Sequence, residues 1–311
     1  MLNSVLIVTC LAATQAPAEF EFDLREKIVY SKVDGRELLL DAYVPKQKEA
    51  SPAVLVVHGG SWRSGNRRQL KGYAQSLAKM GFVCFAIDYR LAPKHKWPAQ
   101  IDDCRTAVKW IRKNEKKYNV DSKKLGAIGY SAGGHLVSLL GTTGESPSKK
   151  NGNVDTRIQA VVAGGAPTDF RRFPDNGKWA EFLFGGDLRD EREKFNSASS
   201  AAFVDKNDAP TFFFNGTKDR LVPLTWTESC FKTMQKAGVK CQLHKIEGAG
   251  HIAAAMNYEA LKKGYAFLRV ELLGEKPEGN RSWTNRVAPA RNRRPISGCG
   301  ILRYPTLPRS K

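Results

Sequence analysis

Short apolar runs alternate with longer amphipathic ones through the middle of this chain, and that alternation limits its fold more than any other feature. Ala53–Val57, Val83–Asp88, Leu125–Gly129, Ile158–Gly164, Pro210–Asn215 and Gln242–Ile246 read as strands. Between and after them, Arg67–Met80, Pro98–Lys117, Ala132–Leu140, Leu224–Ala237 and Ala253–Leu272 read as helices. In Pro98–Lys117, Ile101, Cys104, Ala107, Val108 and Ile111 recur at helical spacing. Brief apolar strands separated by amphipathic helices predict a mostly parallel sheet covered on both faces, an α/β architecture. Two earlier strands, Ile28–Val33 and Glu37–Val44, flank the turn signal Asp34-Gly35. With 311 residues, 41% of them hydrophobic, the chain can bury one large core.

Open sheets of this kind do their chemistry beyond the carboxyl ends of the strands, so candidate residues are sought there. Gly129-Tyr130-Ser131-Ala132-Gly133 follows one predicted strand and opens a helix. Small residues on either side of Ser131 allow a sharp turn, and the helix N-terminus favours developing negative charge beside the hydroxyl. A serine needs a base, and the chain has five histidines. His58 precedes Gly59-Gly60, His95 sits in a Pro-rich loop, His135 lies one helical turn behind Ser131, and His244 is inside a strand. His251 follows the last strand, where an imidazole can reach across to Ser131. Asp219 comes after the strand that precedes it and is the candidate orienting acid, with Asp169 as the alternative. Gly59 and Gly60, with the N–H of Ala132, are placed to form an oxyanion hole. Trp62, beside them, is a candidate substrate-binding residue.

These motifs, with Asp88-Tyr89-Arg90-Leu91-Ala92-Pro93 and Gly216-Thr217-Lys218-Asp219, resemble the α/β-hydrolase esterase/lipase superfamily. Hormone-sensitive-lipase-like esterases are the nearest in pattern, with the group of bacterial feruloyl/acetyl esterases and kynurenine formamidases. The resemblance covers about residues 28–272. It implies an α/β-hydrolase fold, the triad Ser131, Asp219 and His251, an oxyanion hole from Gly59, Gly60 and Ala132, and no metal or organic cofactor. Ser61 stands where hormone-sensitive-lipase-like enzymes carry a third glycine. The stretch before Ile28 is too short for their N-terminal helical cap. Both departures point to the uncapped feruloyl/acetyl-esterase group. The implied activity is hydrolysis of short-acyl carboxylic esters through an acyl-enzyme, with carbohydrate or aromatic alcohols as candidate leaving groups. The alternatives are an amidase or peptidase on the same triad, arylformamidase-like, and an inactive binding scaffold.

Residues outside this body read differently. Val5–Ala13 is an apolar run followed by Ala16-Pro17-Ala18, a secretory leader pattern with cleavage after Ala18. The expected location is therefore secreted or periplasmic. No later run approaches the ~20 residues of a membrane helix. Pro167–Asp208 interrupts the alternation with Phe170, Phe173, Trp179, Phe182 and Phe184, and reads as a lid or one wall of the site. Residues 275–311 are rich in Pro and Arg without apolar periodicity and read as a disordered basic tail after the 19–274 catalytic domain. The net charge of +19 is high, yet no zinc-finger spacing or aromatic RNA-binding motif accompanies it, so a small ester rather than nucleic acid is the expected partner. Six cysteines match no metal spacing and leave any disulfide pairing open.

Overall fold

The structure, a computed structural model, describes residues 19–147, 154–172 and 178–276. The expected leader (residues 1–18), residues 277–311, Phe173, the side chain of Trp179, Cys10 and Cys299 lie outside the described residues.

Eight strands form one sheet: β1 (Phe22–Val33), β2 (Arg36–Pro45), β3 (Ser51–Val57), β4 (Val83–Ile87), β5 (Val120–Tyr130), β6 (Ala160–Gly164), β7 (Thr211–Gly216) and β8 (Cys241–Ile246). Their spatial order is β1-β2-β4-β3-β5-β6-β7-β8. β1 pairs antiparallel with β2, and β2 antiparallel with β4; every later pairing is parallel. The central strands β3, β4 and β6 are buried along their whole length. This is why their sequences are continuous apolar runs rather than alternating ones. The outermost strands, β1 and β8, keep exposed polar positions, which blunts both edges against further pairing.

Nine α-helices accompany the sheet: α1 (Lys71–Lys79), α2 (Ala99–Lys113), α3 (Glu115–Tyr118), α4 (Ala132–Thr143), α5 (Lys178–Phe184), α6 (Arg192–Ser197), α7 (Leu224–Lys236), α8 (His251–Ala255) and α9 (Tyr258–Leu268), counted among the described residues. The strand period of two divides the interior into two cores. Ala53, Leu55 and Val57 of β3 join Ile101 and Val108 of α2, Leu136 and Leu140 of α4, and Met234 of α7. Val54 and Val56 face the other way, toward Tyr73 and Leu77 of α1 and Phe267 and Leu268 of α9. Each fully buried Leu or Phe contributes roughly 1.5–3 kcal/mol, so the scaffold holding the site is set by these two layers. No helix among the described residues is long and apolar enough to cross a membrane.

Three helix boundaries differ from the sequence expectation, each for a local reason. The expected helix from Arg67 begins only at Lys71, because Arg67 is held elsewhere: its N–H donates to Asp88 Oδ1 at 2.7 Å and its guanidinium binds Asp41 and Asp88. The helix expected over 98–117 breaks at Asn114, whose side chain donates to the carbonyl of Trp110. The last helix starts earlier, at His251, and is interrupted at Asn257, whose side chain accepts from Ala260 N–H at 2.8 Å and so caps a new helix.

The four described cysteines, Cys84, Cys104, Cys230 and Cys241, are buried and unpaired. Burial pushes the thiols of Cys230 and Cys241 up to about 12, which leaves them small apolar fillers rather than nucleophiles.

Candidate active site

Ser131 sits between β5 and α4 with φ +57° and ψ −122°, a backbone state that costs an L-residue about 1–3 kcal/mol. The surroundings enforce it. A Cβ on Gly133 would lie 2.0 Å from the carbonyl oxygen of Val57, and one on Gly129 would lie 2.5 Å from the backbone of Gly133. Only glycine lets the first turn of α4 come this close to β3 and β5. The Ser131 N–H donates to Gly164 of β6 at 2.8 Å, anchoring the turn to the next strand.

The hydroxyl meets the candidate base directly: Ser131 Oγ is 2.9 Å from His251 Nε2. On the other side of the ring, His251 Nδ1 is 2.6 Å from Asp219 Oδ2. Asp219 is 6% exposed, and its second oxygen accepts the N–H groups of Leu221 (3.0 Å) and Val222 (2.8 Å). With both its oxygens engaged, the carboxylate is fixed in orientation and holds Nδ1 protonated, leaving Nε2 to accept from the serine. The acid and base loops also touch along the backbone, where Lys218 N–H donates to Ala249 at 3.0 Å. Asp169, the alternative acid, is committed elsewhere: its carboxylate binds Arg171 at 2.7 Å and Arg172 at 3.2 Å.

The oxyanion donors follow from peptide planarity. The His58 carbonyl accepts from the Tyr89 hydroxyl at 3.1 Å, and the Gly59 carbonyl faces His58 Nδ1 at 2.7 Å. A trans peptide points its N–H opposite its C=O. The N–H groups of Gly59 and Gly60 therefore point away from these buried partners. A Cβ on Gly59 would lie 3.3 Å from Ser131 Cβ, so this loop borders the nucleophile. Ala132 N–H opens α4 next to Ser131 and lacks an intrahelical partner at that position. None of the three N–H groups has an acceptor among the described residues.

Trp62 is placed differently from its expected role. It is 7% exposed, its indole N–H donates to His135 Nδ1 at 3.1 Å, and its ring contacts His135 and Phe170. It packs behind the oxyanion loop rather than opening toward a ligand. His135 completes this unit. Its Nε2 is 2.6 Å from the Ala198 carbonyl, so the ring is neutral with the proton on Nε2, and burial lowers its pKa to about 4. Phe170 of the insert is fully buried against it, and Phe184 is fully buried against Phe170 and Trp97. Trp97 fastens the same region, through its indole N–H to Ser197 Oγ and its backbone N–H to Leu183. The described part of 167–208 is thus a packed wall. Phe182 is half-buried, with the Arg63 guanidinium 5.9 Å from its ring centroid.

Sequence reasoning missed the tyrosines. The Tyr130 hydroxyl donates to the backbone carbonyl of His251, and the Tyr73 hydroxyl to that of Ala255, each at 2.5 Å. Together they hold both ends of α8, the five-residue helix that begins with the base. The middle position of Gly-Tyr-Ser-Ala-Gly carried no signal for this, because the motif constrains its small residues and leaves that one free.

The chain is similar to known esterases in sequence and in fold. A model of the BD-FAE family matches residues 40–234. Esterase LipC of Mycobacterium tuberculosis is 34% identical over 242 residues, covering 73% of this chain and 59% of LipC. The chain spans about half the length of the curated relatives it matches. Among solved structures, a truncated carbohydrate esterase from gut microbiota superposes with a TM-score of 0.73 at 24% identity, over 83% of this chain and 99% of that one, a likeness of fold. Esterase Est2 of Thermogutta terrifontis, with propionate bound, gives 0.69 at 27% identity over 83% and 97%. Another structure of Est2, 25% identical over 78% and 94% with a TM-score of 0.68, shows it phosphonylated by sarin. The strand order, the strained serine and the family match together establish that this chain belongs to the BD-FAE family, within the α/β-hydrolase esterase/lipase superfamily.

Proposed function

We propose that this chain is an exported serine carboxylesterase that hydrolyses short-acyl esters through an acyl-enzyme on Ser131. The observation that carries the reading is the continuous line Ser131 Oγ, His251 and Asp219 at 2.9 and 2.6 Å, ending beside three unclaimed backbone N–H groups. His251 Nε2 takes the hydroxyl proton as Oγ attacks the ester carbonyl. The imidazolium that forms is stabilised by the Asp219 carboxylate, and the oxyanion by the N–H groups of Gly59, Gly60 and Ala132. His251 then returns the proton to the departing alcohol. A water, deprotonated by the same Nε2, attacks the acyl-enzyme and frees the carboxylic acid.

The short-acyl preference is supported by the propionate and butyrate bound to Est2, a relative at similar identity. A carbohydrate or aromatic alcohol has less support, since Trp62, Phe170 and Phe184 are consumed by packing. The test is a panel of p-nitrophenyl esters with the wild type and Ser131→Ala. Acetate, propionate and butyrate should outpace octanoate, and the variant should lose about 10⁴-fold or more in kcat. An organophosphate should add its phosphoryl mass to the peptide carrying Ser131. Retained hydrolysis by Ser131→Ala would refute the assignment. Matched amides, run beside the esters, separate the amidase alternative.

A further inference from the structure

Large hydrophobic side chains open to solvent are few among the described residues, and they are unevenly placed. The four most exposed are Tyr258 (78%), Met256 (77%), Ile252 (70%) and Leu221 (69%); the others do not exceed 46%. All four lie on the two segments that supply Asp219 and His251. Leu221 N–H binds Asp219 itself, Ile252 follows His251, Met256 is one helical turn beyond Ile252, and Tyr258 opens α9. Scattered exposed hydrophobes need no explanation, but their concentration along one rim marks an interaction surface.

Charge indicates the occupant. Lys218, Arg220 and Lys262 are exposed on the same segments, Lys262 one turn from Tyr258, and none forms an ion pair among the described residues. The nearby acids are engaged: Glu259 with Lys263, and Glu247 with the Thr217 hydroxyl. A second copy docking on the same rim by a two-fold axis would set these cations against their own images, in a chain whose net charge is already +19. An anionic amphiphile layer satisfies both features, with the apolar side chains at the acyl boundary and the cations at the head groups.

We propose that the rim formed by Leu221, Ile252, Met256 and Tyr258 docks this protein on an anionic lipid surface, with the mouth of the Ser131 site held against the layer. Binding of this kind needs no turnover, so it stands or falls separately from the esterase reading.

The test is co-sedimentation of the full chain, basic C-terminal segment included, with phosphatidylcholine vesicles with or without phosphatidylglycerol. The expected result is partition onto the anionic vesicles at least about tenfold stronger than onto the zwitterionic ones. Ile252→Ser/Met256→Ser/Tyr258→Ser should lower that partition about tenfold, and Lys218→Gln/Arg220→Gln/Lys262→Gln about a hundredfold, since each cation near such a surface is worth about fivefold. Ser131→Ala should bind as the wild type does. Circular dichroism melts verify folding, and Ile252→Ser alone, expected to bind several-fold less, serves if the triple variant misfolds. Unchanged binding by a folded Ile252→Ser/Met256→Ser/Tyr258→Ser protein would assign attachment to the basic segment and overturn the proposal. A dimer in sedimentation velocity that this same triple substitution dissolves, with no vesicle binding, would also overturn it and make a second copy the occupant.

Discussion

The two segments that meet at the Ser131–His251 contact are built on opposite physical plans. Residues 129–135 are held by exclusion: Gly129, Gly133 and Gly134 each sit where an added Cβ would lie within about 2.5 Å of backbone atoms. Residues 248–258 are held mainly by hydrogen bonds, with Ala254 the one fully buried side chain among them. A Cβ on Gly250 would find nothing nearer than 3.9 Å, and one on Gly248 nothing within 4 Å. Their order comes from Asp219 on the ring, from the Lys218–Ala249 backbone bond, and from two tyrosine hydroxyls. Ser131 is therefore positioned by packing, which tolerates almost no change of shape. His251 is positioned largely by a few polar contacts, each removable with the shape left intact.

The largest effect should come from the contact that joins the two plans. Asp219→Asn keeps an oxygen for the Leu221 and Val222 N–H groups but no longer holds Nδ1 protonated. Ester turnover should fall about 10⁴-fold in kcat, with the melting temperature little changed. A loss below tenfold would mean that another carboxylate orients His251. Next in size is a pair of glycine substitutions that tests exclusion against open space. Gly133→Ala drives a methyl into the Val57 carbonyl and should cost about 4 kcal/mol or more, read by urea unfolding. Gly250→Ala meets ordinary space at φ −84° and should stay within about 0.5 kcal/mol of wild type. Equal costs at the two sites would erase the contrast.

The same contrast explains what could be read from the sequence. The elbow was legible because exclusion writes itself into residue identity: only glycine fits, and three glycines around one serine are hard to miss. Strands β3, β4 and β6 were legible because burial on both faces demands unbroken apolar runs. Asp219 and His251 were singled out from their place after β7 and β8, a topological rule needing no contact information, and the structure brings the two side chains together. Tyr73 and Tyr130 were not, because a tyrosine that donates to a distant carbonyl looks the same as one that fills a core. Trp62 was misjudged for a related reason. A tryptophan beside an oxyanion loop suits a ligand platform equally well, and the deciding partner, His135, is 73 residues away in the chain. The Arg67 and Asn257 helix boundaries failed where side chains competed for backbone groups that periodicity alone assigns to a helix.

His135 makes the packed segment sensitive to acid. Its pKa is about 4 in the folded protein against 6.5 ordinarily, so the unfolded chain takes up the proton first. The stability this neutral ring contributes is complete above pH 6.5 and is lost as pH falls toward 4. Between pH 7 and pH 5 the loss should be about 2 kcal/mol. Asp208 works the other way: burial pushes its carboxyl up to about 6, so the folded form gains stability as pH falls through that value. Denaturant unfolding at the two pH values should therefore show a net loss on acidification, and Asp208→Asn should steepen it. A flat profile in the Asp208→Asn protein would remove His135 from the account.

The smallest effect, and the most pointed, is expected from Tyr130→Phe. The ring would keep its place against Phe214 and the His251 imidazole, 5.7 and 5.1 Å away by centroid, so packing is preserved. Only the hydroxyl bond to the His251 carbonyl disappears, a stability cost of about 1 kcal/mol. If α8 is held by polar contacts rather than by shape, the imidazole should then sample positions away from Ser131 Oγ. Turnover should fall several-fold in kcat with KM unchanged, because the substrate still binds at the oxyanion loop. Tyr73→Phe, which frees the far end of the same helix, should do less, since Ala255 lies a full turn beyond the base. If Tyr130→Phe instead lost stability while keeping its kcat, the hydroxyl would be a core contact, and the base segment would be held by packing after all.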